Sequence, residues 1–369
     1  MTYANEYAFG KAKPEGRVPD DLPALLALVA LAGPATCGLR ALAYTLSVPF
    51  IDPNLRHSAG RIAWGFRSLF NTPEVVALVR GMNGAEPYWR RVLEYCAAGC
   101  LQSVLDEYMH LLVESEGLID TPTASASKEL ADRVASVAGL RTATPGVDWV
   151  RVSASGRLTI DNQRARARFA MRYGDERGGE REEAQLRKEA VRAAFNSPFW
   201  PFILATTSIG QEGLDFHPYC HAVVHWNLPS NPVDLEQREG RVHRYKGHAV
   251  RKNVASLASK NAYAPASRAN PWPSLFKNAE KHFDQKSEIV PYWVFPIDDG
   301  AYIERHVPTL PLSREAARLP ALRHSLAVYR MVFGQPRQED LLEHLKRTVP
   351  EQELARIAGE ICIDLEPRS

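Results

Sequence analysis

The sequence predicts an α/β protein: one lobe built on a parallel sheet, flanked by mainly helical N-terminal and C-terminal regions. Three observations predict it. From Asp21 to about Leu140 apolar residues recur at helical spacing, without strand-type alternation. Beyond Thr144-Pro145-Gly146, short apolar runs take turns with helix-forming stretches, the order that builds an α/β layer. After about residue 300 the spacing is helical again.

A chain of 369 residues is long enough for two or three domains with a sizeable core. The expected division is a flexible start at 1–18 and a helical module at 19–145. The sheet lobe follows at 146–300, with an insertion at about 250–288, and a helical C-terminal region at 301–369. Lys and Arg number 45 against 43 Asp and Glu, a formal net charge of +2. That balance excludes a generally basic nucleic-acid coat, so any polyanion site has to be a local patch.

Five cysteines, odd in number and scattered, suit a reducing cytoplasm better than a disulfide framework. Cys96 and Cys100 fit one helical turn, but no second pair completes a zinc site, and no metal site is expected. The apolar run Ala24 to Ala35 is too short to span a bilayer and is broken at Gly33-Pro34. Asp20-Asp21 stand where a signal peptide would carry basic residues. The expectation is a cytoplasmic protein with no membrane partner.

Along the chain, residues 1 to about 18 are polar and rich in Gly, Pro and Lys. Leu25, Leu26, Val29 and Leu31 lead into one apolar face, and Leu101, Val104, Leu105, Tyr108, Leu111 and Leu112 repeat at three-four spacing. Pro34, Pro49, Pro53, Pro73 and Pro87 divide the region into helices of ordinary length. Val150 to Ile160 and Arg166 to Tyr173 alternate in the strand manner. Asp175 to Arg192 is densely charged in both signs, the pattern of a solvated helix face. It ends in Val191, Ala194 and Phe195, which can dock. Phe202 to Ala205 and Ala222 to Val224 are short enough to be buried strands of a parallel sheet. Pro232 to Tyr245 reads as a helix, Arg251 to His282 as an irregular insertion, and Ile289 to Ile297 as a strand. Ser313 to Phe333 reads as an amphipathic helix, and Gln338 to Gly359 adds one or two more.

Two segments carry chemistry. Ala205-Thr206-Thr207-Ser208-Ile209-Gly210-Gln211-Glu212-Gly213-Leu214-Asp215 follows a strand, where ligand sites of open α/β sheets lie. Thr207 and Ser208 offer hydroxyls and backbone N–H groups to a phosphate, Gly210 and Gly213 allow close approach of backbone, and Asp215 can accept from ribose hydroxyls. The second segment is Gln237-Arg238-Glu239-Gly240-Arg241-Val242-His243-Arg244. On a helix Arg241 and Arg244, three apart, point the same way, and two guanidinium forks suit a polyphosphate better than lysines would.

Together these segments resemble motifs V and VI of superfamily 2 helicases, most closely the Swi/Snf-like and related bacterial branches. The clear resemblance covers roughly Arg164 to Val254. It includes the helix from Arg187 to Asn196 before motif V and the strand His221 to Asn227 with Pro229-Ser230-Asn231-Pro232 between the motifs. The flanks are similar to large bacterial helicase-like proteins, some of them linked to phage defence. The resemblance implies that the sheet lobe is the second RecA-like lobe of an ATP-driven motor. It implies that Arg241 is the arginine finger reaching the γ-phosphate, with Arg244 in support, and that Gln237 contacts the nucleotide or couples it to motion. Gln211, Gly213 and Asp215 would line the nucleotide edge. Thr207, Ser208 and Arg238 would touch nucleic acid, with duplex DNA the expected track. ATP and Mg²⁺ are the implied cofactors, held mainly by a first lobe.

This sequence departs from the family's full pattern. Gly10-Lys11 runs into Ala12, so no Gly-Lys is followed by Ser or Thr. Leu105-Asp106-Glu107-Tyr108 superficially matches the acidic magnesium motif but sits in a helical pattern rather than at a strand end. Motif IV is not recognisable. The first lobe is therefore expected from elsewhere, and the chain reads as a native subunit of a split motor, a truncated product or a fragment. The alternative is a nucleic-acid or protein binding module derived from a helicase lobe without ATPase activity. His217, His221 and His225, with Cys220 among them, would make a metal face on a helix, but Val223 and Val224 make His221 to Asn227 read as a strand, which puts His221 and His225 on one face at strand spacing and leaves too few ligands close together. His243 and His248 can touch phosphate or serve structure. Arg164, Arg166, Arg168 and Arg172 form either a basic stripe or a solvated sheet edge.

Overall fold

The computed structural model describes residues 20–82, 87–118, 120–140, 146–152, 157–164, 170–173, 181–206, 215–257, 271–282, 289–308, 313–333, 347–350 and 353. Contacts divide the chain into two compact units, 1–135 and 136–369.

The first unit is helical, as its apolar spacing predicts. It comprises α1 (Leu22–Ala32), α2 (Pro34–Leu46), α3 (Pro53–Phe70), α4 (Pro73–Arg80), α5 (Tyr88–Ala98), α6 (Leu101–Ser115) and most of α7 (Thr123–Ala138). Proline opens α2, α3 and α4, where its fixed φ fits the first turn and its missing N–H costs nothing. Asp52 caps α3, its Oδ1 accepting from Asn54 N at 2.8 Å and Leu55 N at 3.4 Å. Leu42, Leu55, Ile62, Phe66, Leu105, Met109 and Leu130 fill the core. Gly65 lets α3 cross α7 closely: a Cβ there would stand 2.6 Å from Ala135 Cα. Asp106 and Glu107 lie inside α6, away from any strand end. No single described helix is long and apolar enough to cross a membrane. The pair α1 and α2 passes by length and composition together but is bent by 44°.

In the second unit, β1 (Gly146–Val152) and β2 (Leu158–Arg164) form an antiparallel hairpin, Val152 opposite Leu158. The alternation from Val150 to Ile160 is thus two antiparallel strands rather than one. β3 (Ala170–Tyr173) pairs in parallel with β4 (Ile203–Thr206), and α8 (Arg181–Phe195) connects them, a βαβ unit. Further along, β5 (Ala222–Val224) pairs in parallel with β6 (Glu304–His306). Between those strands lie α9 (Pro232–Gly240), α10 (His248–Leu257) and α11 (Trp272–Glu280). The last long element is α12 (Glu315–Phe333).

Three expectations are corrected here. The strands β4 and β5 are parallel but not buried on both faces: Ile203 is 55% and Val224 58% exposed. Among the described residues the parallel pairs are separate two-stranded sheets, so a complete RecA-like sheet is not delineated. Ile289 to Ile297 is no strand. Trp293 N donates to Ile289 O at 2.7 Å in a turn, Pro291 and Pro296 lack the N–H a ladder needs, and the strand lies at β6 instead. Arg251 to His282 is not irregular throughout. Pro271 and Pro273 stand at the start of α11, where helices accept them, and Val250, Val254, Leu275, Phe276, Ala279 and Phe295 form a core there, while 258–270 lie outside the described residues.

Two further cores position the site. Tyr173, Val191 and Phe216 pack between β3, α8 and the segment after β4, with Phe216 edge-on to Tyr173 at 5.7 Å. Leu228, Leu235, Leu322 and Leu326 clamp α9 beneath α12, and Glu315 Oε2 accepts from Leu228 N at 2.9 Å. The stretch Gln338 to Gly359 lies almost wholly outside the described residues.

Candidate functional site

The site is built where the end of the first chemical segment meets the end of α9. Asn231 starts α9 by accepting from Val233 N at 3.0 Å through Oδ1, Pro232 occupies the first turn, and Asp234 complements the helix dipole. Leu235 and Glu239, four apart, face inward and are buried. The helix ends at Gly240, and Arg241 is its C-cap. The shared helical face expected for Arg241 and Arg244 is therefore corrected. Val242 N and His243 N still reach back to Glu239 O, but the chain then turns, and Lys246 sits in the left-handed region at φ 50°.

That turn brings Arg244 to Asp215. Arg244 Nε donates to Asp215 Oδ1 at 2.7 Å, with both side chains partly exposed. Next to it Phe216 N donates to Arg241 O at 2.9 Å, and Asn196 Nδ2 donates to Asp215 O at 2.8 Å. His248 N donates to His217 O at 3.0 Å, while Arg251, buried, donates Nη1 to Lys246 O at 2.8 Å and Nη2 to Pro218 O at 2.5 Å. Residues 215–218 are thus stitched to 241–251 by backbone and side-chain bonds that cross from one chemical segment to the other.

The sequence-predicted residues fall as follows. Arg244 meets Asp215 side chain to side chain, and Arg241 joins them through its backbone carbonyl, which accepts from Phe216 N. Gln237 is exposed on α9, and Arg238 donates Nη1 to Asn227 O at 2.9 Å, in the loop after β5. Thr207, Ser208, Gly210, Gln211 and Gly213 lie outside the described residues, as do the side chains of Arg164, Arg166, Arg168 and Arg172.

Glu239 is a residue that the motif reading passed over, as the variable position between Arg238 and Gly240. Its carboxylate is buried and takes Arg305 on both oxygens, Nε to Oε1 at 2.5 Å and Nη2 to Oε2 at 2.8 Å, while His225 Nε2 meets Oε1 at 3.1 Å. A buried carboxylate held by a bidentate guanidinium fixes the last turn of α9 against β5 and β6. The four-residue spacing to Leu235 was the available signal, since it puts Glu239 on the inward face.

Burial keeps His217 and His248 neutral. Burial lowers His217 to about 4, with Arg251 and Arg244 adding to the effect and Asp215 opposing it. Burial likewise lowers His248 to about 4, helped by Arg251, His221 and Lys252. The rings of His221 and His248 lie 5.5 Å apart. Among the described residues no group of three His, Cys, Asp or Glu side chains is placed to hold a metal ion.

Residues 173–246 match the family model of the helicase conserved C-terminal domain, about a fifth of the chain, running from the end of β3 to the turn after Arg244. The match supports a helicase C-terminal lobe, whose fold is RecA-like, and with it a helicase-type function and interaction with nucleic acid. No curated protein and no solved structure matches the chain.

Proposed function

We propose that this chain supplies the second RecA-like lobe of an ATP-dependent nucleic-acid helicase or translocase, acting with a first lobe that carries the phosphate loop. The observation that carries the reading is the joining of the two chemical segments by the Arg244–Asp215 ion pair and the Phe216–Arg241 backbone bond, inside the helicase-domain match. The Swi/Snf-like resemblance of the motifs makes duplex DNA the proposed track, and the scattered, odd-numbered cysteines favour a reducing cytoplasm as the compartment.

The residues on this side fit a polyphosphate. Arg241 is half-buried at the end of a helix held rigid by Glu239, and Arg244 keeps a partly exposed guanidinium beside one neutralising carboxylate. Hydrolysis of ATP to ADP and phosphate builds charge on the transferred group. Arg241, with Arg244 in support, stabilises that charge from across the lobe interface. Asp215 sets the direction of the Arg244 fork. Gln237, exposed one turn earlier, faces the same solvent boundary and contacts the nucleotide. Mg²⁺ is held by the first lobe and the phosphates rather than by this chain.

The test is ATP turnover by the full chain alone, with and without duplex DNA. The reading expects none in either condition, together with binding of duplex DNA. DNA-stimulated turnover that disappears in Arg241→Ala would place a phosphate loop within this chain and overturn the half-motor reading. Absence of both turnover and nucleic-acid binding would remove the motor reading altogether.

A further inference from the structure

Immediately after Arg244 the chain builds a stack of aromatic rings that the proposed ATP chemistry does not use. Phe276, buried on α11, stacks on Tyr292 at 5.4 Å and 5° between planes. Tyr292 stacks on Tyr245 at 5.5 Å and 14°. Trp272 extends the inner end toward the core at 6.1 Å from Phe276. The outer end does not close: Tyr245 is 47% exposed, and beside it Trp293, 43% exposed, stands edge-on at 6.1 Å and 67°. Two half-exposed rings meeting at a steep angle form a corner on a row of parallel rings that is rooted in the core.

A cation borders the corner. Lys246 Nζ lies over the Tyr245 ring at 5.4 Å from its centroid and over that of Phe276 at 4.9 Å. The geometry is also pre-formed. Lys246 N donates to Tyr292 O at 2.7 Å, Gly247 N to Arg244 O at 3.0 Å, and Tyr292 Oη to Glu280 Oε1 at 2.5 Å. These polar groups are committed internally, so the corner offers ring faces and nearby positive charge rather than base-edge hydrogen bonding.

We infer that Tyr245 and Trp293 form a stacking site for a nucleobase of an unpaired nucleic-acid strand, with Lys246 beside them to face its phosphates. Every base has a π-face, so such a platform tolerates any sequence, as a track requires. A strand can lay a base on the rings while the phosphates on either side of it reach toward Lys246. A base inside an intact duplex is already stacked on both sides, so the corner takes single strands or frayed ends and adds to the duplex contact proposed above. The inference rests on the nucleic-acid part of that proposal and is independent of its ATPase part.

The test is fluorescence anisotropy of a labelled dT20 strand and of a blunt duplex, titrated with the full chain and with Tyr245→Ala, Tyr245→Phe, Trp293→Ala and Arg241→Ala. Tyr245→Ala and Trp293→Ala are expected to weaken strand binding roughly tenfold or more, and duplex binding by less than about threefold. Tyr245→Phe is expected to stay within about twofold, since it keeps the ring; that variant and unchanged thermal unfolding separate lost stacking from lost folding. Arg241→Ala is expected to leave strand binding unaltered, so a failed ATPase reading and a failed stacking site give different results. The inference is overturned if the native chain does not bind the strand at low salt, or if Tyr245→Ala binds it as well as the native chain does. It is equally overturned if Tyr245→Ala abolishes binding of a fluorescent ATP analogue while strand binding stays intact.

Discussion

Asp215 and Arg244 are 29 residues apart in sequence and joined by a 2.7 Å bond from Nε to Oδ1. The pair ties the loop after β4 to the turn after α9, and so brings two separate stretches of sequence into one site. Both side chains are partly exposed, so solvent screens the attraction. We expect Asp215→Ala and Arg244→Ala each to cost less than about 1 kcal/mol in urea denaturation. Their double-mutant coupling should be about 0.5 kcal/mol and should fall in 1 M salt. A coupling of several kcal/mol would show that the pair is structural first and positional second.

Glu239 behaves in the opposite way. It is buried and held by Arg305 and His225, so removing either the carboxylate or the guanidinium leaves a desolvated charge. Glu239→Ala or Arg305→Ala should destabilise the second unit by about 3–5 kcal/mol, read by chemical denaturation. The pair Glu239→Leu with Arg305→Met should recover much of that loss, because apolar groups of similar size need no partner. If the double variant is no better than the singles, packing rather than charge burial explains the cost.

The pH dependence follows from His217 and His248. Both have folded values near 4, below the 6.5 of a free histidine, so the unfolded chain binds more protons between those limits. Stability is full above about pH 6.5 and is lost as pH falls toward 4. Thermal unfolding should show the melting temperature dropping across that window, each ring contributing about 1 kcal/mol by pH 5. His217→Phe should flatten the slope. A melting temperature unchanged from pH 7 to pH 5 would mean that neither ring is kept neutral by burial.

Two glycines of α3 give opposite predictions. A Cβ at Gly65 would meet Ala135 Cα at 2.6 Å, whereas one at Gly60 would meet nothing within 4 Å. Gly60→Ala should stabilise by about 0.5–1 kcal/mol through helix propensity alone. Gly65→Ala should destabilise by roughly 1–3 kcal/mol because the α3–α7 crossing must open. Thermal denaturation of the two variants side by side decides the point.

The helical unit was legible because its core positions follow one period without interruption, as in Leu101, Leu105, Tyr108 and Leu112. β3, β4 and β5 were legible as strands, from the alternation ending at Tyr173 and the short apolar runs at 202–205 and 222–224, but the pairing was not: the two apolar runs lie in different parallel pairs, β4 with β3 and β5 with β6. What misled was local: the run Ile289 to Ile297 has strand composition, yet Pro291 and Pro296 remove the donors, and β6 is the polar triplet Glu304–His306 that carries no apolar signal. At the site, the two arginines and Asp215 were legible as residue types. Their geometry was not, because the helix stops at Gly240 and long-range bonds to Asp215, Phe216 and Arg305 decide where each group goes. Glu239 was hidden by its place at a variable motif position, since burial comes from the strands it meets, not from its neighbours in sequence.

In the proposed motor, Arg241 acts across an interface on a nucleotide held by another lobe. The most direct measurement is ATP turnover on mixing the full chain with a separately expressed first lobe that carries a phosphate loop and an acidic magnesium motif, encoded beside it, in the presence of duplex DNA. We expect turnover that neither component shows alone, lost by on the order of a thousandfold in Arg241→Ala and not rescued by Arg241→Lys. Turnover that is absent in the mixture, or present and indifferent to Arg241→Ala, would contradict it.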